Sequence, residues 1–157
     1  FNAAGSAKTV EIAYAGVDIM VAADPGDPVN FTADLFRLTT PTHTGGVAVT
    51  PTKLKNSSPA LNASITILKD GVTVTTTGDS IGRGYFEWDR AIRGFSTRRR
   101  HLFSEMQSGK TPSRLNPRPR TPILITENEG VVIQVDNFGA IDDPNVNVEA
   151  VFIFRER

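Results

Sequence analysis

Thr39-Thr40-Pro41-Thr42-His43-Thr44-Gly45-Gly46-Val47-Ala48-Val49-Thr50-Pro51, continuing to Lys69-Asp70-Gly71-Val72, is the stretch whose reading sets the fold class. Pro41 fixes φ and Gly45-Gly46 accept conformations that other residues avoid, so the chain makes an excursion before Val47-Ala48-Val49 restores extension up to Pro51. After a polar loop over 55–59, Leu61 to Ile67 alternates. The Asp70-Gly71 pair then predicts a hairpin onto Val72 to Thr77, because both central residues of a type I′ turn need positive φ. Short β-branched runs separated by such turns mark an antiparallel β protein.

The pattern extends in both directions. Lys8 to Tyr14 alternates with Val10, Ile12 and Tyr14 on one side, Gly16 interrupts, and Val17 to Ala22 is a short apolar run. Asp24-Pro25-Gly26-Asp27-Pro28 is a strong turn, after which Val29 to Leu38 places Val29, Phe31, Ala33 and Leu35 on one face. Ser80 to Gly84 reads as a turn, Tyr85 to Trp88 as a short aromatic strand, and Ile123 to Thr126 and Val131 to Val135 as strands about the turn at 127–130. From Val146 to Arg155 the chain alternates and becomes apolar on both faces at its end, as a central or interface strand does. With no convincing long helix, the chain is expected to be all-β, an antiparallel β-sandwich or jelly-roll.

The length of 157 residues fits a single domain, 1–157, that buries a core without disulfides. No apolar run approaches the ~20 residues of a membrane-spanning helix. The absence of cysteine removes thiol nucleophiles and cysteine-zinc sites. Residues 1 to 7 lack the charged start and apolar core of a signal peptide and read as a trimmed or processed start.

Net charge is zero, but it is divided. Nine of the 17 basic residues fall between Arg90 and Arg120, with Glu105 the one acid among them, which leaves an acidic body. The nine are Arg90, Arg93, Arg98, Arg99, Arg100, Lys110, Arg114, Arg118 and Arg120. The spacing of Ile92, Phe95, Leu102, Phe103 and Met106 admits a short helix within Thr97 to Gln107, against which Gly94 and the arginine run weigh. Beyond it, Pro112, Pro117, Pro119 and Pro122 predict an extended arm, so 90–122 reads as an inserted basic loop. Its outlets are an acidic protein neighbour, the acidic body of its own subunit, or nucleic-acid phosphates, in that order of preference. Only Phe95 and Phe103 offer the aromatic interleaving of a single-strand platform.

No other pattern carries chemistry. His43 and His101 lie in separate segments with no second ligand at metal spacing. Ile81-Gly82-Arg83-Gly84-Tyr85 contains Gly-x-Gly, but no following helix presents its N-terminus to phosphate. The acidic pairs Glu127/Glu129 and Asp142/Asp143 sit in turns and read as solvated loops rather than calcium or glycosidase sites. Glycosylation sequons at Asn30, Asn56 and Asn62 are assigned no role. We therefore expect no catalytic residue, no metal and no cofactor.

One resemblance bears on function. Thr42-His43-Thr44-Gly45-Gly46-Val47-Ala48-Val49-Thr50-Pro51-Thr52-Lys53, then Asn56-Ser57-Ser58-Pro59-Ala60, then Glu129-Gly130-Val131-Val132-Ile133 and the closing Ala150-Val151-Phe152-Ile153-Phe154 resemble small β-sandwich structural proteins of tailed-bacteriophage virions. Asn128-Glu129-Gly130 stands where a Pro-Gly-Glu-Gly turn is usual, and the Arg90 to Arg120 tract looks like an insertion. The resemblance implies a non-enzymatic virion component, decorating the capsid or serving as a neck or tail accessory. It also implies assembly in the host cytoplasm as a homo-oligomer, with other virion proteins as partners and the basic tract for docking. The alternative is a carbohydrate-binding or host-adhesion module, for which Tyr85, Phe86 and Trp88 are the one aromatic cluster. Alternation divides that cluster between two faces.

Overall fold

The computed structural model describes residues 1–21, 29–39, 43–53, 59–88, 96–104, 121–137 and 146–157. These are all-β: they contain no helix, and their strands pair antiparallel. The longest strand, β1 (Val10–Val21), is central to its sheet. β9 (Val146–Glu156) runs along the whole of one flank. The other flank is divided between β7 (Ile123–Ile125), opposite Val10 to Ile12, and β6 (Ser96–Ser104), opposite Tyr14 to Val21. A second sheet places β2 (Val29–Leu38) between β5 (Ser80–Trp88) and β8 (Gly130–Asn137). β3 (His43–Ala48) and β4 (Leu68–Val74) make a two-stranded ribbon.

Gly16 does not interrupt β1. The strand instead absorbs a register shift against β9 between Ile12 and Tyr14 and another against β6 between Ala15 and Gly16. An extra residue reverses which side chains face inward, because the side-chain period is two. The buried set therefore changes phase, from Val10 and Ile12 to Ala15, Val17 and Ile19. The same irregularity explains β6, where Leu102 falls between the residues paired with Ala15 and Gly16, so that Leu102 and Phe103 are both buried although adjacent.

Both sheets contribute to one hydrophobic cluster, with Ala15, Val17 and Ile19 of β1 and Ala33 and Leu35 of β2 at its centre. Burying a Leu or Val side chain here stabilises by roughly 1.5–3 kcal/mol relative to exposure. Gly82 brings the sheets together: a Cβ at that position would lie 2.2 Å from the Leu102 carbonyl oxygen. Ser80 to Gly84, expected as a turn, is therefore the first half of strand β5, and Gly82 serves close backbone approach rather than reversal.

The expected hairpin at Asp70-Gly71 does not form. Both residues do have positive φ, 47° and 70°. They lie inside β4, however, which pairs with β3 rather than folding back on itself, with Gly45 opposite Val72 and Val47 opposite Lys69. The register shifts between them, and Gly45 and Gly46 answer with positive φ of their own, 72° and 90°. A Cβ on Gly45 would sit 2.8 Å from the Gly71 carbonyl oxygen, so the two irregular stretches fit only because glycine occupies them. Leu61 to Ile67 forms no strand; Ile65 makes an isolated bridge to Asn2.

The first residues are built into the body. Asn2 is fully buried, bridges both Ile65 and Glu129, and donates from Nδ2 to the Lys8 carbonyl at 2.8 Å.

Candidate interaction surface

The basic tract is in part sheet. Ser96–Ser104, inside the segment expected as a loop with a short helix, is strand β6, and Arg98, Arg99 and Arg100 stand opposite Ile19, Asp18 and Val17 of β1. The helical reading of 97–107 fails over 97–104, which pair antiparallel with β1; a bulge at Leu102, not a helical turn, lets Leu102 and Phe103 both be buried. Arg90, Arg93, Lys110, Arg114, Arg118 and Arg120 lie outside the described residues, as do most of the prolines that predict the arm.

Asp34, Glu127 and Glu129 are engaged in holding the fold. Asp34, buried in β2, accepts from Arg83 Nε at 2.7 Å across the β2–β5 ladder. Glu129 accepts from the backbone N–H of Thr126 at 2.8 Å, from its hydroxyl at 2.7 Å and from Arg37 Nη1 at 2.9 Å. Desolvation raises its pKa, but the Thr126 hydrogen bonds and Arg37 outweigh that and bring it below its ordinary value. Glu127, its neighbour in the expected acidic pair, turns instead to the Ala7 N–H at 2.7 Å, so the two do not converge. Asp142 and Asp143 lie outside the described residues.

Sequence reasoning missed Glu11. Its side chain is buried at the end of β1 and meets Arg155 Nη2 and Arg157 Nε, one on each carboxylate oxygen. The Arg155 hydrogen bond is the largest influence on it and lowers its pKa; desolvation opposes, and the charges of Arg155 and Arg157 add to the lowering. Alternation assigned Glu11 to the polar face of the strand, and it is there, but no local pattern signals that residues some 145 positions away cover it.

Around this group the outer face of the β1 sheet is partly apolar. Leu124 of β7 and Arg155 of β9 flank Glu11 in register, and Ile153 stands opposite Tyr14. Leu124 is 43% exposed and Ile153 40%. Expected as a central or interface strand, β9 pairs among the described residues with β1 alone, so its other edge is a candidate contact surface.

The remaining candidates are weaker. His43 lies against Phe1, ring centroids 5.0 Å apart, and among the described residues no group of three His, Asp or Glu side chains is placed to hold a metal. Tyr85 is 55% exposed on β5. A cavity of about 110 Å³ between Phe1, Ile65, Leu68, Phe152 and Phe154 is apolar. It is well short of the roughly 300–1,000 Å³ typical of small-molecule sites. Asn62 accepts from the Ser64 N–H at 2.9 Å in a local turn, Asn30 lies within β2, and Asn56 is outside the described residues. No described helix is long and apolar enough to cross a membrane.

No protein-family model, no curated protein and no solved structure matches the chain.

Proposed function

We propose that the chain is a non-enzymatic structural protein of a tailed-bacteriophage virion, a β-sandwich that decorates or stabilises the capsid or serves as a neck or tail accessory. It is assembled in the host cytoplasm, associates with copies of itself and docks on other virion proteins through its basic tract. The virion reading rests on the resemblance carried by 42–53, 56–60, 129–133 and 150–154 together with the all-β pattern, and the docking role on the charge division, nine basic residues against one acid between Arg90 and Arg120 on an otherwise acidic chain. Arginine forks recognise carboxylates in pairs of parallel hydrogen bonds, which suits docking on an acidic protein surface. β6 supports the same use, since pairing with β1 ties the middle of the tract to the core and gives the basic residues on either side fixed points of attachment at Ser96 and Ser104. Two sheets sharing one cluster and the close approach of Gly82 to Leu102 support the sandwich part of the reading.

Co-sedimentation with purified virion shells and tail parts tests the docking. The protein should pellet with one of them, and the triple variant Arg114→Glu, Arg118→Glu, Arg120→Glu should not. Equal pelleting of both, or of neither, sinks the proposal. Binding that goes instead to duplex DNA and falls steeply with salt would move the tract to phosphate recognition. A glycan-binding module is the second reading, favoured by the exposure of Tyr85. Trp fluorescence unchanged across a glycan panel counts against it.

A further inference from the structure

We propose that β9 is a self-pairing strand: two copies of the chain join antiparallel along the edges of β9 that no described strand occupies, on a two-fold axis at Phe152, and so extend the β1 sheet across the pair. This specifies the self-association included in the functional reading above, but it is tested without any virion component, so the two can fail separately.

The backbone sets the first condition. Arg157 exchanges both backbone hydrogen bonds with Thr9, at 3.2 and 2.8 Å. Alternation along a strand then turns the N–H and C=O groups of Glu156, Phe154, Phe152, Ala150 and Val148 away from β1, toward the edge that no described strand occupies. A long edge with the run Val151-Phe152-Ile153-Phe154 lacks the proline, lysine or bulge that usually guards such edges; the register shift in the β1–β9 ladder comes from β1.

Side chains choose the occupant and the register. With Phe152 opposite its own copy, Glu149 meets Arg155, Val151 meets Ile153 and Ala150 meets Phe154, each pair occurring twice by symmetry. Opposite charges, apolar pairs and a small residue beside a large one thus coincide in one alignment. Moving the axis to Val151 sets Glu149 against Ile153; moving it to Ile153 keeps an opposite-charge pair, Glu149 with Arg157, but sets Val151 against Arg155, whereas the Phe152 axis leaves its one apolar–charged pair, Val148 with Glu156, at the ends.

Because the natural chain has no cysteine, the register can be read by disulfide trapping. Directly opposed residues of a non-hydrogen-bonded antiparallel pair have Cα atoms about 4.5 Å apart, within disulfide reach. Val151→Cys mixed with Ile153→Cys under mild oxidation should give a covalent dimer, while each variant alone should give far less. In sedimentation equilibrium the unmodified chain should dimerise, Ile153→Lys should abolish the dimer, and Glu149→Arg should weaken it about tenfold by setting like charges opposite Arg155. A chain that stays monomeric at about 100 μM overturns the proposal. So does preferential trapping of either cysteine variant with itself. The trapping experiment stands even where a charge variant folds poorly, since both cysteine positions lie on the outer face.

Discussion

β1 and the β3–β4 ribbon are both extended, glycine-bearing and irregular in register, yet they are held in opposite ways. β1 is flanked on both sides, and its apolar residues are buried wherever the shifts in register leave them. The ribbon has two strands and exposed residues, with Val47 56% exposed, and depends on backbone conformation at Gly45, Gly46, Asp70 and Gly71. A two-stranded ribbon alone is marginal in water, so its shape rests on those φ values and on its attachments. Burial tolerates bulges; backbone geometry tolerates few changes of residue type.

The sharpest way to break this comparison is to place a carboxylate on each. Val17→Asp sets a charge at a fully buried position of β1 and should cost on the order of 3–5 kcal/mol, or prevent folding. Val47→Asp should stay within about 0.5 kcal/mol. Urea unfolding compares the two, and similar losses would mean the ribbon is as well packed as β1. Next, Gly82→Ala should destabilise by about 1–3 kcal/mol, since its Cβ would press on the Leu102 carbonyl where the sheets approach. A neutral result would separate the sheets.

Within the ribbon, Gly46→Ala should cost more than Gly71→Ala. Both have positive φ, worth about 1–2 kcal/mol for an L side chain. Only at Gly46 would the Cβ also meet a neighbour, Val72 Cγ2 at 2.6 Å, whereas nothing lies within 4 Å at Gly71. Hydrogen exchange of β3 and β4 amides should report the difference, and equal protection in both variants would remove contact from the explanation. The smallest effect is a pH dependence at Glu11. Its folded pKa is depressed, so its contribution is complete above the ordinary value of 4.5 and is lost as pH falls through the lower folded value. The stability gap between the natural chain and Glu11→Gln should therefore be constant at neutral pH and close in acid; a gap that widens in acid would contradict the pairing with Arg155 and Arg157.

Several of these features were legible in the residue pattern. The all-β class, the inward set Ala33 and Leu35, and positive φ at Asp70, Gly71, Gly45 and Gly46 follow from alternation and from what glycine and Asx residues permit. The candidate surface was only partly legible. The charge division is a property of the chain itself, but β6 carries three arginines where a strand signal would need alternation, so its pairing with β1 was invisible.

Sequence by itself thus determined the all-β class, where φ turns positive and where charge gathers. The tertiary structure decided partners. Asp70 and Gly71 have the backbone of a hairpin turn, yet β4 lies against β3 because a ladder is closed by residues far apart in the chain, and local torsions do not specify which. Bulges in β1 and β6 likewise reset which residues face the core, and the long-range packing of β7 and β9 around Glu11 turned a polar-face residue into a buried one.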